Sequence, residues 1–173
     1  MASFAERVVG ALKLDVKTYE EVEHDVLATS QAAGVIALSS VANGIGGYWL
    51  LGVTGIVRGA VIALLGWVVG AVVLWVVGTK IIPGKSTEAD IGQLLRTVGF
   101  AGAPGLVRVL GIVPGLGFLS SVIAGLWTLA ATIVAVRAAL DYDDYLKPIV
   151  VCLIALFVYF VVGAVLASLL AIF

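Results

Sequence analysis

The chain has 173 residues, 62% of them hydrophobic and 12% charged, with a mean hydropathy of +1.18 and a net charge of −1. A soluble domain is about 45–50% apolar and about 25% charged, so this composition excludes an ordinary water-soluble fold and makes lipid the solvent for much of the surface. The near-zero charge removes the basic field of a nucleic-acid binder, and a single cysteine (Cys152) and a single histidine (His24) exclude an intramolecular disulfide and any metal site built from several His and Cys ligands.

The pattern predicts one all-α domain. About five spans of roughly 20 residues with short polar connections use nearly all of the length. Residues 1–25 are the one long polar stretch, with Glu6 and Arg7 placed too early for a secretory leader. Ser3 with Glu6, and Thr18 with Glu21, fit capping boxes. Phe4, Val8 and Leu12 share one helical face, and Tyr19, Val22 and Val26 another. The segment reads as two short amphipathic helices with an acidic polar side, lying on the membrane surface or on the bundle.

The first span is expected over about residues 26–49. It carries Thr29, Ser30, Gln31, Ser39, Ser40 and Asn43, residue types that favour helix contacts over lipid. Asn43-Gly44 and Gly46-Gly47 break its far end, and Tyr48 and Trp49 are interface anchors. The second, about 59–78, is uncharged and holds Gly66 and Gly70 at GxxxG spacing, which admits a close neighbour. After the turn Lys80–Lys85, Ser86 or Thr87 is expected to cap the next helix, with Glu88 and Asp90 near its positive end. The third, about 91–113, contains Arg96 and Arg108 and is interrupted between Gly99 and Gly105, where Pro104 predicts a kink or break. The uncharged turn Val113–Gly117 leads into the fourth, about 117–137. The fifth, about 149–173, follows the polar loop Asp141–Pro148.

With the N-terminus in the cytoplasm, that side receives Arg7, Lys13, Lys17, Lys80, Lys85, Arg96, Arg137 and Lys147, and the other side Arg58 and Arg108. The bias obeys the positive-inside rule and places the C-terminus opposite. A second topology, with the third and fourth segments folded back as a re-entrant hairpin, keeps the same termini and differs in the exposure of residues 113–117.

The order of these pieces resembles the Yip domain family of Ypt/Rab-interacting membrane proteins, especially its compact prokaryotic members. The similarity runs through Tyr19–Asp25, Ala28-Thr29-Ser30-Gln31-Ala32, Leu95–Pro104, Trp127 and Ala135–Tyr142, over about residues 15–160. It implies a multi-pass, non-catalytic protein of a prokaryotic cell membrane with five spans and a cytoplasmic N-terminus. In eukaryotic relatives it implies trafficking, GTPase contact and membrane shaping; those relatives carry a long polar N-terminal extension that this sequence lacks.

Candidate contacts to a partner or lipid are Glu20, Glu21, Glu23, Asp25, Arg96, Arg108, Arg137 and Asp141. Arg96 and Arg137 lie at cytoplasmic ends, and Arg108 is within snorkelling reach of the outer one. Arg137 and Asp141 are four apart and pair if their helix extends that far. Asp141, Asp143 and Asp144 lack the Gly and closing Glu of a Ca²⁺ loop and read as a solvated face. The N-terminal acids read as a docking surface for a basic partner, or for this chain's own Arg and Lys. Gly66, Gly70 and Pro104 are helix-packing positions; tight packing is the expected role of Gly99–Gly105, against a discontinuous helix opening a cavity. No carboxylate lies in a predicted span and no histidine stands near the membrane serines, so no catalytic residues, cofactor or metal is predicted. The functional expectation is a non-enzymatic scaffold or adaptor partnered by the lipid bilayer and by a second copy or another membrane protein, with no nucleic acid or identified small-molecule substrate. The alternatives are a small-solute channel or permease lined by Gln31, Ser39, Asn43 and Arg108, and a curvature protein.

Overall fold

The computed structural model describes residues 2–85 and 87–170, with side chains at all of these except 49–51, 53–55 and 162–170. Ser86 and Trp49, two positions singled out above, and the end of the fifth span fall outside those descriptions.

All the regular structure among the described residues is helical: α1 (Phe4–Leu12), α2 (Val16–His24), α3 (Ala28–Gly46), α4 (Tyr48–Val76) running into a π turn (Val77–Ile81), α5 (Ile91–Ala101), a 3₁₀ segment (Ala103–Ile112), α6 (Gly117–Ala139) and α7 (Leu146–Leu170). Among the described residues, three stretches are long and apolar enough to cross a membrane, Ile56–Ile81, Ile91–Ile112 and Gly117–Ala139; Leu146–Val161 is a shorter apolar helix. The polar residues of α3 keep it out of that group.

The helix ends follow side-chain chemistry. α1 opens on the expected capping box, Glu6 N–H donating to the Ser3 hydroxyl while the Glu6 carboxylate accepts from the Ser3 N–H at 2.7 Å. The box expected at Thr18 is not formed. α2 is capped by Asp15, and the Thr18 hydroxyl donates to that cap at 2.9 Å, because Leu14 at φ 59 turns the chain and starts the helix three residues earlier. α5, by contrast, is capped later than expected, by Asp90 in a capping box with Gln93. Thr87 is taken by the loops instead: it accepts from Gly84 N–H and donates to the Leu140 carbonyl at 2.7 Å.

α3 runs through Asn43-Gly44 and ends at Gly46 with Gly47 as its cap, at the second of the two glycine pairs expected to break it. Within α4, Gly52 sits at φ 61, a conformation that glycine alone adopts freely, and the continuous membrane-type helix begins after it. The interruption expected at Pro104 is present. Proline cannot donate to the preceding turn, so α5 ends at Ala101 and the chain continues as the 3₁₀ segment.

Two cores form. Tyr19 and Val22 of α2 pack on Ala32 and Val35 of α3, Phe100 of α5, and Ala131 and Ala135 of α6, placing the N-terminal helices against the bundle. Leu74, Leu94, Val136, Leu140 and Val151 make the second, joining α4 to α7. Tryptophans fasten the layers: Trp67 donates to the Leu95 carbonyl, Trp75 to Ala89 and Trp127 to Leu12, at 2.8–3.0 Å. Tyr142 closes the same end by donating to the Ile82 carbonyl at 2.5 Å.

Candidate functional site

The four arginines nearest the candidate site residues divide into three that are spent on the fold and one that is not. Arg7, 2% exposed, donates to Glu21 at 2.9 Å, Asp25 at 2.7 Å and Gln31 at 2.9 Å, locking α1, the end of α2 and α3 together. Its guanidinium holds the Glu21 and Asp25 carboxyls below their ordinary range through hydrogen bonds. These two acids therefore serve a base of the same chain. Nothing in the spacing of Arg7 marked it as their partner, because the pairing is set by how α1 folds back on α2.

Arg96, 6% exposed, donates from both Nε and Nη2 to the Glu23 carbonyl, tying α5 to the last turn of α2. The Glu23 carboxylate is 2% exposed and accepts from Gln93 at 3.0 Å. Burial pushes its pKa up to about 7; the His24 and Arg96 charges oppose that shift, and Asp141 and Glu20 add to it. Glu20 stays exposed. Together with Glu23, His24, Arg137, Asp141 and Asp143 it lines a polar depression of about 510 Å³ on the α2–α6 side.

Arg137 and Asp141 do not pair. α6 ends at Ala139, and Asp141 turns out of helical register at φ 49. Arg137 instead donates to the Tyr142 carbonyl at 3.2 Å and lies 4.6 Å over the Tyr145 ring. Among the described residues no group of three or more His, Cys, Asp or Glu could hold a metal ion.

Arg108 is the exception. It lies on the 3₁₀ segment, inside the candidate span Ile91–Ile112, and is half-buried. Among the described residues its guanidinium has no ion pair and no hydrogen-bond acceptor. It borders a cavity of about 770 Å³ whose polar lining is Ser39, Ser40 and Asn43 of α3, Thr128 and Thr132 of α6, and Tyr159 of α7. A smaller space of about 380 Å³ continues past Arg108 and Asn43 to Ser121. On the other side, Thr128, Thr132, Leu156 and Tyr159 are shared with an apolar groove of about 540 Å³ between α4, α6 and α7. The Thr128 hydroxyl is buried there with no hydrogen-bond partner.

The backbone explains why this space exists. On the α3 side the break at Gly99–Gly105 is packed shut: a Cβ on Gly99 would stand 2.6 Å from the Ala32 Cβ, one on Gly102 2.7 Å from Ile36 Cδ1, and one on Gly105 3.0 Å from the Ser39 Cβ. On the other side, Gly70 of α4 and Gly125 of α6 have no atom within 4 Å of where a Cβ would sit. Gly66 is approached by the Tyr159 hydroxyl. The GxxxG pair thus faces the cleft, with its Gly70 end open. Ser39, Asn43 and Arg108 were legible from sequence as polar groups at membrane depth. Thr128, Thr132 and Tyr159 were not singled out, although Thr128 and Thr132, four apart on an apolar helix, present a polar stripe.

With all-helical regular structure and three helices of membrane-crossing length among the described residues, the chain is a helical protein of membrane type, and an open groove along its helices is polar at one end and apolar at the other. Compared with protein-family models, with curated proteins and with solved structures, the chain matches none of them.

Proposed function

We propose that this chain is a non-enzymatic, multi-pass membrane scaffold that engages a bilayer-borne partner through the cleft between α4, α6 and α7. The observation that carries the reading is that the described side chains leave this cleft unfilled beside Gly70 and Gly125. In this reading five segments are embedded: α3, α4 with its π turn, α5 with the 3₁₀ segment, α6 and α7. α3 tolerates its polar residues because Ser39 donates to the Gly102 carbonyl at 2.9 Å and Ser40 to Ala37, while Leu38 and Val41 face outward. The N-terminus is cytoplasmic by the distribution of Lys and Arg, and α1 and α2 form a cap on that face. The resemblance to compact Yip-type proteins favours the same class.

Gentle extraction from native membranes, with mass determination of what stays bound, tests this reading. A stoichiometric component lost when Gly125→Leu fills the cleft supports it. A bare chain that conducts solute in liposomes overturns it.

The rival permease reading has one specific support, the joint lining of a cavity by Ser39, Asn43 and Arg108. Against it, Gln31, the fourth residue such a path would use, is engaged by Arg7 beneath the N-terminal helices. Labelling of cysteines placed at positions 31, 39 and 43 separates the two. Reaction at all three from water supports a path, and reaction at 39 and 43 alone supports a cleft.

A further inference from the structure

The cleft's two ends carry information about its occupant. At the polar end, Arg108 offers the five-donor fork of a guanidinium, and Asn43 an amide with no hydrogen-bond partner among the described residues. No Asp or Glu is among the residues bordering either space around Arg108. A charge at membrane depth without a counter-ion is costly, whereas Arg7 has two carboxylates. The end is therefore complementary to an anion. A phosphate is favoured because a guanidinium meets its oxygens in bidentate fashion.

The apolar groove adjoins this end, sharing Thr128, Thr132, Leu156 and Tyr159 with it, and extends to Gly70, Leu74, Leu126 and Ala155. A free phosphate has no use for such a groove, and a neutral apolar molecule has none for Arg108. The combination fits a molecule with an anion at one end and a hydrocarbon chain at the other.

We propose that the cleft seats one anionic phospholipid, its phosphate on Arg108 and Asn43 and one acyl chain in the groove between α4, α6 and α7. The inference rests on the membrane-scaffold reading and names its partner as lipid rather than protein. Arg108 lies four residues before the end of the 3₁₀ segment at Ile112, about 8 Å at roughly 2.0 Å per residue. With the N-terminus cytoplasmic, the lipid belongs to the outer leaflet. The bound lipid supplies the counter-charge that Arg108 lacks among the described residues and fills the space that the glycines leave.

The test is native mass spectrometry of the full chain, stripped by detergent exchange and titrated with phosphatidylglycerol, phosphatidylcholine or inorganic phosphate, with helical content checked by circular dichroism. One phosphatidylglycerol is expected per chain, with phosphatidylcholine held at least tenfold more weakly and millimolar inorganic phosphate unable to displace the lipid. Arg108→Gln is expected to weaken retention at least tenfold, and Arg108→Lys by less, because a lysine keeps the charge but loses the fork. Leu126→Trp should weaken retention while keeping the headgroup preference, and exposed Arg58→Gln should change nothing. Retention indifferent to headgroup charge, displacement by inorganic phosphate, or unchanged binding in folded Arg108→Gln each overturns the proposal. If Arg108→Gln does not fold, Arg108→Lys and Leu126→Trp decide it on the same criteria. A stoichiometric second protein seated at the cleft without lipid overturns the lipid alone and leaves the scaffold reading. Absence of any bound component removes both.

Discussion

The seam between α3 and the α5–3₁₀ segment and the cleft between α4, α6 and α7 are built from the same kinds of residue with opposite results. In the seam, Gly99, Gly102 and Gly105 meet Ala32, Ile36 and Ser39 so closely that no Cβ could be added without displacement. The Ser39 hydroxyl spans the contact to the Gly102 carbonyl. In the cleft, Gly70 and Gly125 have no neighbour within 4 Å of an added Cβ, and the Thr128 hydroxyl is buried without a partner. Small residues let helices approach, but only a ridge in matching register makes the approach happen. The seam has that ridge, and the cleft has room for something that the described side chains do not supply.

The largest expected effect breaks the seam. Gly99→Leu drives a side chain into Ala32 and the Trp67 indole, and overpacking of this kind costs about 3 kcal/mol at the upper end of its usual range. A clear fall in the thermal unfolding midpoint in detergent is the readout. Gly125→Leu, the same change on the open side, is expected to stay within about 0.5 kcal/mol of wild type while removing the bound component. Equal destabilisation by both would mean that the cleft is closed in the membrane.

The arginines extend the comparison from shape to charge. Arg7→Met strips Glu21, Asp25 and Gln31 of their shared donor and unpins α1 from α2 and α3, so the unfolding midpoint should fall by less than for Gly99→Leu. Arg108→Met removes a charge that has no internal acceptor among the described residues. It should leave the lipid-free protein as stable as wild type or more so. A loss of stability there equal to that of Arg7→Met would expose an internal partner for Arg108.

Much of this organisation was legible in sequence. The third span, its interruption at Pro104 and the all-helical class follow from proline chemistry and apolar run length, which act locally. The exact caps did not follow: Asp15 displaced Thr18 because of the left-handed turn at Leu14, and Asp90 displaced Thr87 because Thr87 is held by Leu140, 53 residues away. Arg137 and Asp141 were separated by the end of α6, a boundary that spacing alone leaves open. Ser39, Asn43 and Arg108 stood out as polar groups at membrane depth. Their convergence with Tyr159 depends on how α7 returns along α4, which no local pattern encodes.

On the cap, pH acts through Glu23. Its folded-state pKa of about 7 lies above the ordinary carboxyl range, so between about pH 4.5 and 7 the folded chain binds more protons than the unfolded one. Stability should therefore fall as pH rises through that window and level off above it. Glu21 and Asp25, held low by Arg7, act with the opposite sign, and their contribution is lost as pH drops below the ordinary carboxyl range. The unfolding midpoint should peak near pH 5. Glu23→Gln keeps an acceptor for Gln93 and should flatten the slope on the neutral side; an unchanged slope would assign it to another group.

The smallest effect discriminates by its sign. A glycine inside a helix is less favourable than alanine by about 0.5–1 kcal/mol, because it loses more backbone freedom on folding. Where a methyl finds open space, Gly→Ala should recover that amount, and where it meets backbone or a packed side chain it should not. Gly125→Ala has nothing within 4 Å of the new methyl, whereas Gly99→Ala brings its methyl to 2.6 Å from the Ala32 Cβ. Gly125→Ala is therefore expected to raise the unfolding midpoint slightly and Gly99→Ala to lower it. A methyl is also too small to close a groove of about 540 Å³, so Gly125→Ala should keep its bound component where Gly125→Leu loses it. If Gly125→Ala destabilises, position 125 is already in contact in the membrane, and the occupant of the cleft reaches as far as α6.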